Sequence, residues 1–101
     1  MTSTKFKQSE IEEIYAFVKA LGSESRIRIL MAFMDGKDRT VNEVADAVSL
    51  GQSTCSEHLA ILKRAGIMRS EKQGKEVIYS PNREVIGTRL ETLGGFLKHC
   101  C

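Results

Sequence analysis

The run Gly51-Gln52-Ser53-Thr54-Cys55-Ser56-Glu57-His58-Leu59-Ala60-Ile61-Leu62-Lys63-Arg64-Ala65-Gly66 carries two chemically different faces at helical spacing. Cys55, Leu59 and Leu62 fall on one side and are expected to face inward, while Thr54, Ser56, Glu57, His58, Lys63 and Arg64 are left to solvent. Ser53 is expected to cap this helix and Gly66 to close it. Just upstream, Thr40 and Glu43 stand at the spacing of a capping box, in which each side chain satisfies the other's free backbone donor. They open a short helix whose buried side is Val41, Val44, Ala45 and Val48. Ser49-Leu50-Gly51 is the turn between the two. Two short helices joined by a tight turn, the second exposing small polar and basic groups, form a helix-turn-helix over about residues 40–65.

Beyond Gly66 the period changes to two. Ile67, Arg69 and Glu71 point one way, Met68 and Ser70 the other, and Val77 and Tyr79 alternate with Ile78. This predicts a β-hairpin over about 67–80, with Gln73-Gly74-Lys75 at its tip and Pro81 ending its second strand. A last helix follows over about 83–99, with Val85 or Ile86, Leu90, Leu93 and Leu97 as its stripe, interrupted on one side by Gly94-Gly95.

At the other end, Ser9 and Glu12 suggest a capping box for a first helix over about 9–21, with Ile11, Ile14, Val18 and Leu21 as an apolar seam. Gly22 ends it and Ser23 caps the next helix, in which Ile27, Leu30, Met31 and Met34 are expected to be core until Gly36 stops the run. The expected fold is mainly α with a β-hairpin wing, about five helices and two strands, as one domain over 1–101. The order helix, helix, helix-turn-helix, hairpin, helix is that of a winged helix. In a single chain the seams on the first and last helices would face water, so pairing of two chains through them is expected.

Composition narrows the classes. At 101 residues the chain makes one small domain, and 42% hydrophobic against 28% charged residues is a globular mix that argues against disorder. No apolar run approaches the roughly 20 residues of a membrane span, and Met1 to Gln8 lack a signal-peptide stretch, so a cytoplasmic protein without membrane association is expected. The net charge is +2, and Gln52 to Ser80 holds all of it: Lys63, Arg64, Arg69, Lys72 and Lys75 oppose Glu57, Glu71 and Glu76. A polyanion would be steered to that segment. Gln52, Ser53, Thr54, Ser56 and His58 are hydrogen-bonding groups near a helix N-terminus, the end that favours phosphate and enters the major groove first. Lys63 adds a cation to the same helix.

The run 51–66, together with Leu21-Gly22-Ser23-Glu24-Ser25-Arg26-Ile27-Arg28-Ile29-Leu30, resembles the ArsR/SmtB family of bacterial winged helix-turn-helix repressors, and the resemblance covers nearly all of the chain. It implies a homodimer, joined through the first and last helices, that binds a palindromic operator in double-stranded DNA and leaves it when an inducer arrives. The interface residues would be Ile11, Ile14, Val18, Ile86, Leu90, Leu93 and Leu97. In family terms Gln52, Ser53, Ser56 and His58 match operator-touching positions, and the basic wing, Arg69, Lys72 and Lys75, would lie along the backbone or minor groove.

The resemblance also locates possible sensing sites. The family's metal motif on the third helix usually has two cysteines where this chain has Thr40 and Asn42, and neither offers a soft ligand. The other common site, on the last helix, needs paired carboxylates and histidines, yet between Asn82 and Cys101 the one histidine is His99. What remains is Cys100-Cys101, with Cys55 as a further candidate ligand. Adjacent thiols suit arsenic(III) or antimony(III), which prefer three sulfur donors; Cys55, His99, a thiol of the second subunit or a small-molecule thiol could complete the set. Cys55 is alternatively a small core hydrophobe, Cys100 and Cys101 an inert tail, or the thiols a redox or reactive-sulfur sensor. No cofactor is required. An enzyme is not expected, because His99 beside Cys100 has no orienting third group and no Gly-rich phosphate loop is present. A winged-helix protein-interaction module without DNA binding is the alternative from another class.

Overall fold

In the computed structural model, which describes residues 7–99, helix α1 (Gln8–Leu21) starts where the Lys7 backbone N–H donates to a Glu10 carboxylate oxygen at 2.9 Å. Ser9, expected as the cap, lies inside the first turn instead, and Glu12 accepts from Gln8 Nε2 on the helix surface. Either glutamate could return to the backbone three residues before it; the chain uses the earlier one. Helix α2 (Glu24–Met31) begins as expected, with Ser23 Oγ accepting from the Arg26 N–H at 3.3 Å.

The inward face of α2 differs from expectation. Ile29 and, in the turn beyond the helix, Phe33 are buried, whereas Ile27, Met31 and Met34 are exposed. Every position from Ile29 to Met34 except Ala32 is a large hydrophobe, so spacing alone fits two phases. Packing chooses the phase that places Ile29 and the larger Phe33 in the same core as Phe17 and Ala20, the buried pair of α1. Of the predicted α1 seam, Leu21 packs on this core, while Ile11 and Val18 are exposed.

Arg39 then closes a two-pronged ion pair on Asp35, at 2.6 and 2.8 Å, and that guanidinium holds the Asp35 carboxyl below the usual carboxylate range. It leads into a strand the sequence did not reveal. β1 (Arg39–Thr40) pairs antiparallel with β3 (Glu76–Pro81), which pairs with β2 (Met68–Gln73), so the sheet has three strands in the order β1-β3-β2. Two residues are too few for an alternation to be recognised. The strand matters because Thr40 is at once a ladder residue opposite Ile78 and the N-cap of α3 (Val41–Val48), which ties the wing to the helix-turn-helix.

The Thr40 and Glu43 box forms in both directions, at 3.2 and 2.8 Å. Helix α4 (Gln52–Arg64) follows, then the hairpin, turned by Gly74 at φ +64°, and α5 (Arg83–His99). Asn82 joins the last two: its N–H donates to Ile67 O at 2.8 Å and its Oδ1 caps Val85 N–H at 3.2 Å. Gly66 ends α4 at φ +82°, a conformation costly for L-residues, and a Cβ there would meet Val85 Cγ1 at 3.2 Å.

One core serves the chain: Phe17, Ala20, Ile29, Phe33, Val44, Ala45, Cys55, Leu59, Leu62, Ile67 and Met68. α5 buries no side chain completely, and the radius of gyration of 15.3 Å exceeds the about 13 Å of a compact domain this long. The corrected phase of α2 is testable by urea unfolding. Ile29→Ala should cost about 2–5 kcal/mol and Met34→Ala stay within about 0.5 kcal/mol; the reverse order would restore the other phase.

Candidate nucleic-acid interface

The turn into α4 is built by Ser49 at φ 57°, in the left-handed region, and by a Leu50 N–H bond to Ala45 O at 3.0 Å that closes α3. Gly51 occupies the N-cap of α4, so no side chain caps the first-turn amides. Ser53, the expected cap, lies two positions beyond it in the first turn, because the extended residue that precedes the helix is Gly51. The positive end of the helix dipole and its unclaimed N–H groups therefore open outward, an arrangement suited to phosphate.

Cys55, Leu59 and Leu62 are completely buried and fix the rotation of α4 about its axis. Gln52, Ser53, Thr54 and Ser56 are consequently exposed together on its first turns. His58 is half-buried on the flank, with Nδ1 3.1 Å from Arg26 Nη1. Lys63 reaches the wing, donating from Nζ to Ser70 Oγ at 2.7 Å. Strand alternation puts Lys72 on the same side of β2 as Ser70, and Lys75 lies in the exposed turn.

Arg69 departs from this group. It is exposed on the opposite face of β2, where it lines a cleft of about 220 Å³ with Asp38, Ser80, Asn82, Arg83 and Glu84. Gln52, Ser53, Thr54 and Ser56 are thus exposed together at the start of α4, Lys63 links the end of that helix to the wing, Lys72 shares the Ser70 side of β2, and Arg69 is set apart. Two residues that sequence reasoning passed over belong to the arrangement, Arg26 and Ser70. Their signal was weak, since an arginine in a helix and a serine in a strand have ordinary surface roles.

A second exposed surface lies between α1 and α5. Ile11, Ile14, Tyr15 and Val18 of α1 and Leu93 and Phe96 of α5 line an almost wholly apolar groove of about 270 Å³. Leu90 and Leu97 are exposed beside it on α5. Ile86, expected with them, instead packs against the chain's own core. Arg89 Nη2 and Glu13 Oε1, 3.7 Å apart, cross between the two helices.

The thiols separate as well. Cys55 has no accessible surface, its Sγ lies 3.9 Å from Val41 O, and burial pushes its thiol pKa up, so it stays protonated. It is a core residue and leaves the candidate ligand set. Cys100 and Cys101 lie outside the described residues. His99, the last of these, is exposed. Thr40 spends its hydroxyl on the cap of α3, as a backbone acceptor with no soft donor character.

Comparison with known proteins bears on the family and the fold. The profile of the arsR family of bacterial regulatory proteins matches residues 23–70. YbzH, an HTH-type transcriptional regulator of Bacillus subtilis, is 36% identical over 102 residues, covering 87% of this chain and 97% of its own length. The HTH-type transcriptional repressor SmtB of Mycobacterium tuberculosis is 39% identical over 62 residues, 61% of this chain and 45% of its own. Among solved structures, the homodimeric winged helix-turn-helix DNA-binding domain Mb0332 of Mycobacterium bovis matches with a TM-score of 0.75 at 20% identity, covering 100% of this chain and 94% of that one. The fold is a winged helix-turn-helix.

The burial of Cys55 predicts its chemistry. In native protein treated with iodoacetamide and mapped by mass spectrometry, Cys55 should stay unmodified until denaturant is added. Alkylation of Cys55 at the rate of a free thiol would contradict the packing described.

Proposed function

This chain belongs to the ArsR family of bacterial regulatory proteins and is a DNA-binding transcriptional regulator rather than an enzyme, and from that premise we propose that it is a cytoplasmic homodimeric repressor released from its operator by a thiophilic inducer. The observation that carries the DNA part is the uncapped start of α4, where Gln52, Ser53, Thr54 and Ser56 are exposed together, on a helix whose far end is joined through Lys63 and Ser70 to the wing that bears Lys72 and Lys75. Backbone amides and lysines hold phosphates and set register, while Gln52, Ser53, Thr54 and Ser56 are the groups that reach base edges. Lys63 supports both, through its bond to Ser70. Arg69, on the far face of β2, joins only where the duplex wraps the wing.

One α4 helix buries too little surface for tight operator binding, and the net charge of +2 adds little. Two copies related by a two-fold axis supply two reading helices one DNA turn apart, roughly 34–36 Å. The apolar groove between α1 and α5 favours that pairing: Ile11, Tyr15, Val18 and Leu90 expose large apolar area that a second copy would remove from water. Ile14, Leu93 and Leu97 complete this surface.

The inducer reading rests on Cys100-Cys101, which follow directly on α5. Two adjacent thiols fit arsenic(III) or antimony(III), with the third donor from His99, the second subunit or a small-molecule thiol. Binding beside a dimerisation helix would favour a spacing of the two α4 helices that no longer fits successive grooves, a coupling of about 1–3 kcal/mol.

Two measurements test this. In the log–log salt dependence of duplex binding, Lys72→Ala with Lys75→Ala should lower the slope by about 3.6, one phosphate contact for each of the four lysines in the dimer; an unchanged slope would remove the wing from the interface. Arsenite should release DNA from the native protein and not from Cys100→Ser with Cys101→Ser. Equal release from both would refute the thiol assignment, and release of the native protein by an oxidant alone would make it a redox sensor.

A further inference from the structure

Arg26, in the first turn of α2, stands where three helices meet. Its Nε donates to Ala20 O at 2.7 Å and its Nη2 to Lys19 O at 3.4 Å, which also accepts from the Gly22 N–H at 3.2 Å, so it binds the C-terminal end of α1, where the dipole is negative. Its Nη1 lies 3.1 Å from His58 Nδ1. A guanidinium has N–H donors and no acceptor, so Nδ1 must accept, and the neutral imidazole then carries its proton on Nε2. His58 sits on the flank of α4 between the buried stripe of Cys55, Leu59 and Leu62 and the exposed polar turns.

We propose that Arg26 is a positioning residue for DNA reading, which fixes His58 as a hydrogen-bond donor at Nε2 and so makes α4 select a base edge that offers an acceptor there, such as N7 or O6 of guanine, N7 of adenine or O4 of thymine, at the base pair His58 faces. Held the other way, the ring would present an unprotonated nitrogen and favour a donor such as the cytosine amino group. The same guanidinium binds the end of α1, so the orientation of the reading group is referred to a helix of the apolar groove rather than to α4 alone. The inference deepens the reading of α4 as the DNA-contacting helix and depends on it.

The test has two arms. In the first, a long-range ¹⁵N spectrum of the imidazoles in the native protein, with the His58 signals identified by their loss in His58→Ala, should give the Nε2–H tautomer. A ring protonated on Nδ1 overturns the proposal without any variant having to fold. In the second, affinity is measured on a duplex selected by the native protein from a random pool and on its single base-pair substitutions. Arg26→Met should weaken binding about tenfold, as His58→Ala should, and the double variant should be no weaker than either. Discrimination should be relaxed at one base pair per half-site, the same pair in both single variants. Losses that simply add, or a uniform loss with base preference intact, would mean that Arg26 only stabilises the fold and would overturn the proposal. Should Arg26→Met unfold, Arg26→Lys, which keeps one donor for the α1 carbonyls, takes its place in the cycle. A native protein that retains no duplex at low salt defeats the DNA reading itself, a result distinct from retention with unaltered base preference in the variants.

Discussion

Everything that α4 presents outward is fixed by what it buries. Cys55, Leu59 and Leu62 have no accessible surface, and each contributes about 1.5–3 kcal/mol or somewhat less for the small thiol. Because interiors are close-packed, rotation of the helix about its axis would break all three contacts together. Gln52, Ser53, Thr54 and Ser56 therefore hold a fixed direction although they take no part in the core. Gly51 contributes by what it lacks: with no side chain at the N-cap, the first amides of the helix remain available to a ligand.

The same economy explains the wing. β1 is only two residues long, yet through Thr40 it fastens the sheet to the start of α3, and Lys63 fastens the end of α4 to β2 through Ser70. The hairpin that carries Lys72 and Lys75 is thus joined to the helix-turn-helix at both the start of α3 and the end of α4. The cations on that surface are few. A protein with so small a charge excess gains affinity by presenting the surface twice, which is what the apolar groove between α1 and α5 would bring about. Cys100-Cys101 follow the helix that forms half of that groove, so an inducer held there would act on the geometry of pairing.

Much of this was legible in the residues. The box of Thr40 and Glu43 and the inward side of Leu59 and Leu62 are plain in the residues, whereas Cys55, which sequence leaves open between core and ligand, is assigned to the core only by its burial. In α2 the inward side is not plain: Ile27, Ile29, Leu30, Met31, Phe33 and Met34 offer more hydrophobes than one face can bury, and only the shape of the neighbouring α1 decides among them. Ser9 and Ser53 each lie two residues beyond the true N-cap, and sequence does not separate them because a serine in the first turn and a serine at the N-cap look alike. β1 was too short to leave a period. Arg26 was invisible for another reason: its partners, Lys19 O, Ala20 O and His58 Nδ1, come together only when three helices have packed.

The central claim is that two copies of α4 enter successive major grooves of one duplex. Hydroxyl-radical and methylation-protection footprinting on a selected operator reads this directly. The account predicts two symmetric protected segments, centred one helical turn apart, with guanine N7 shielded in each. A single protected half-site at saturation, or protection without guanine shielding in the major groove, would contradict it.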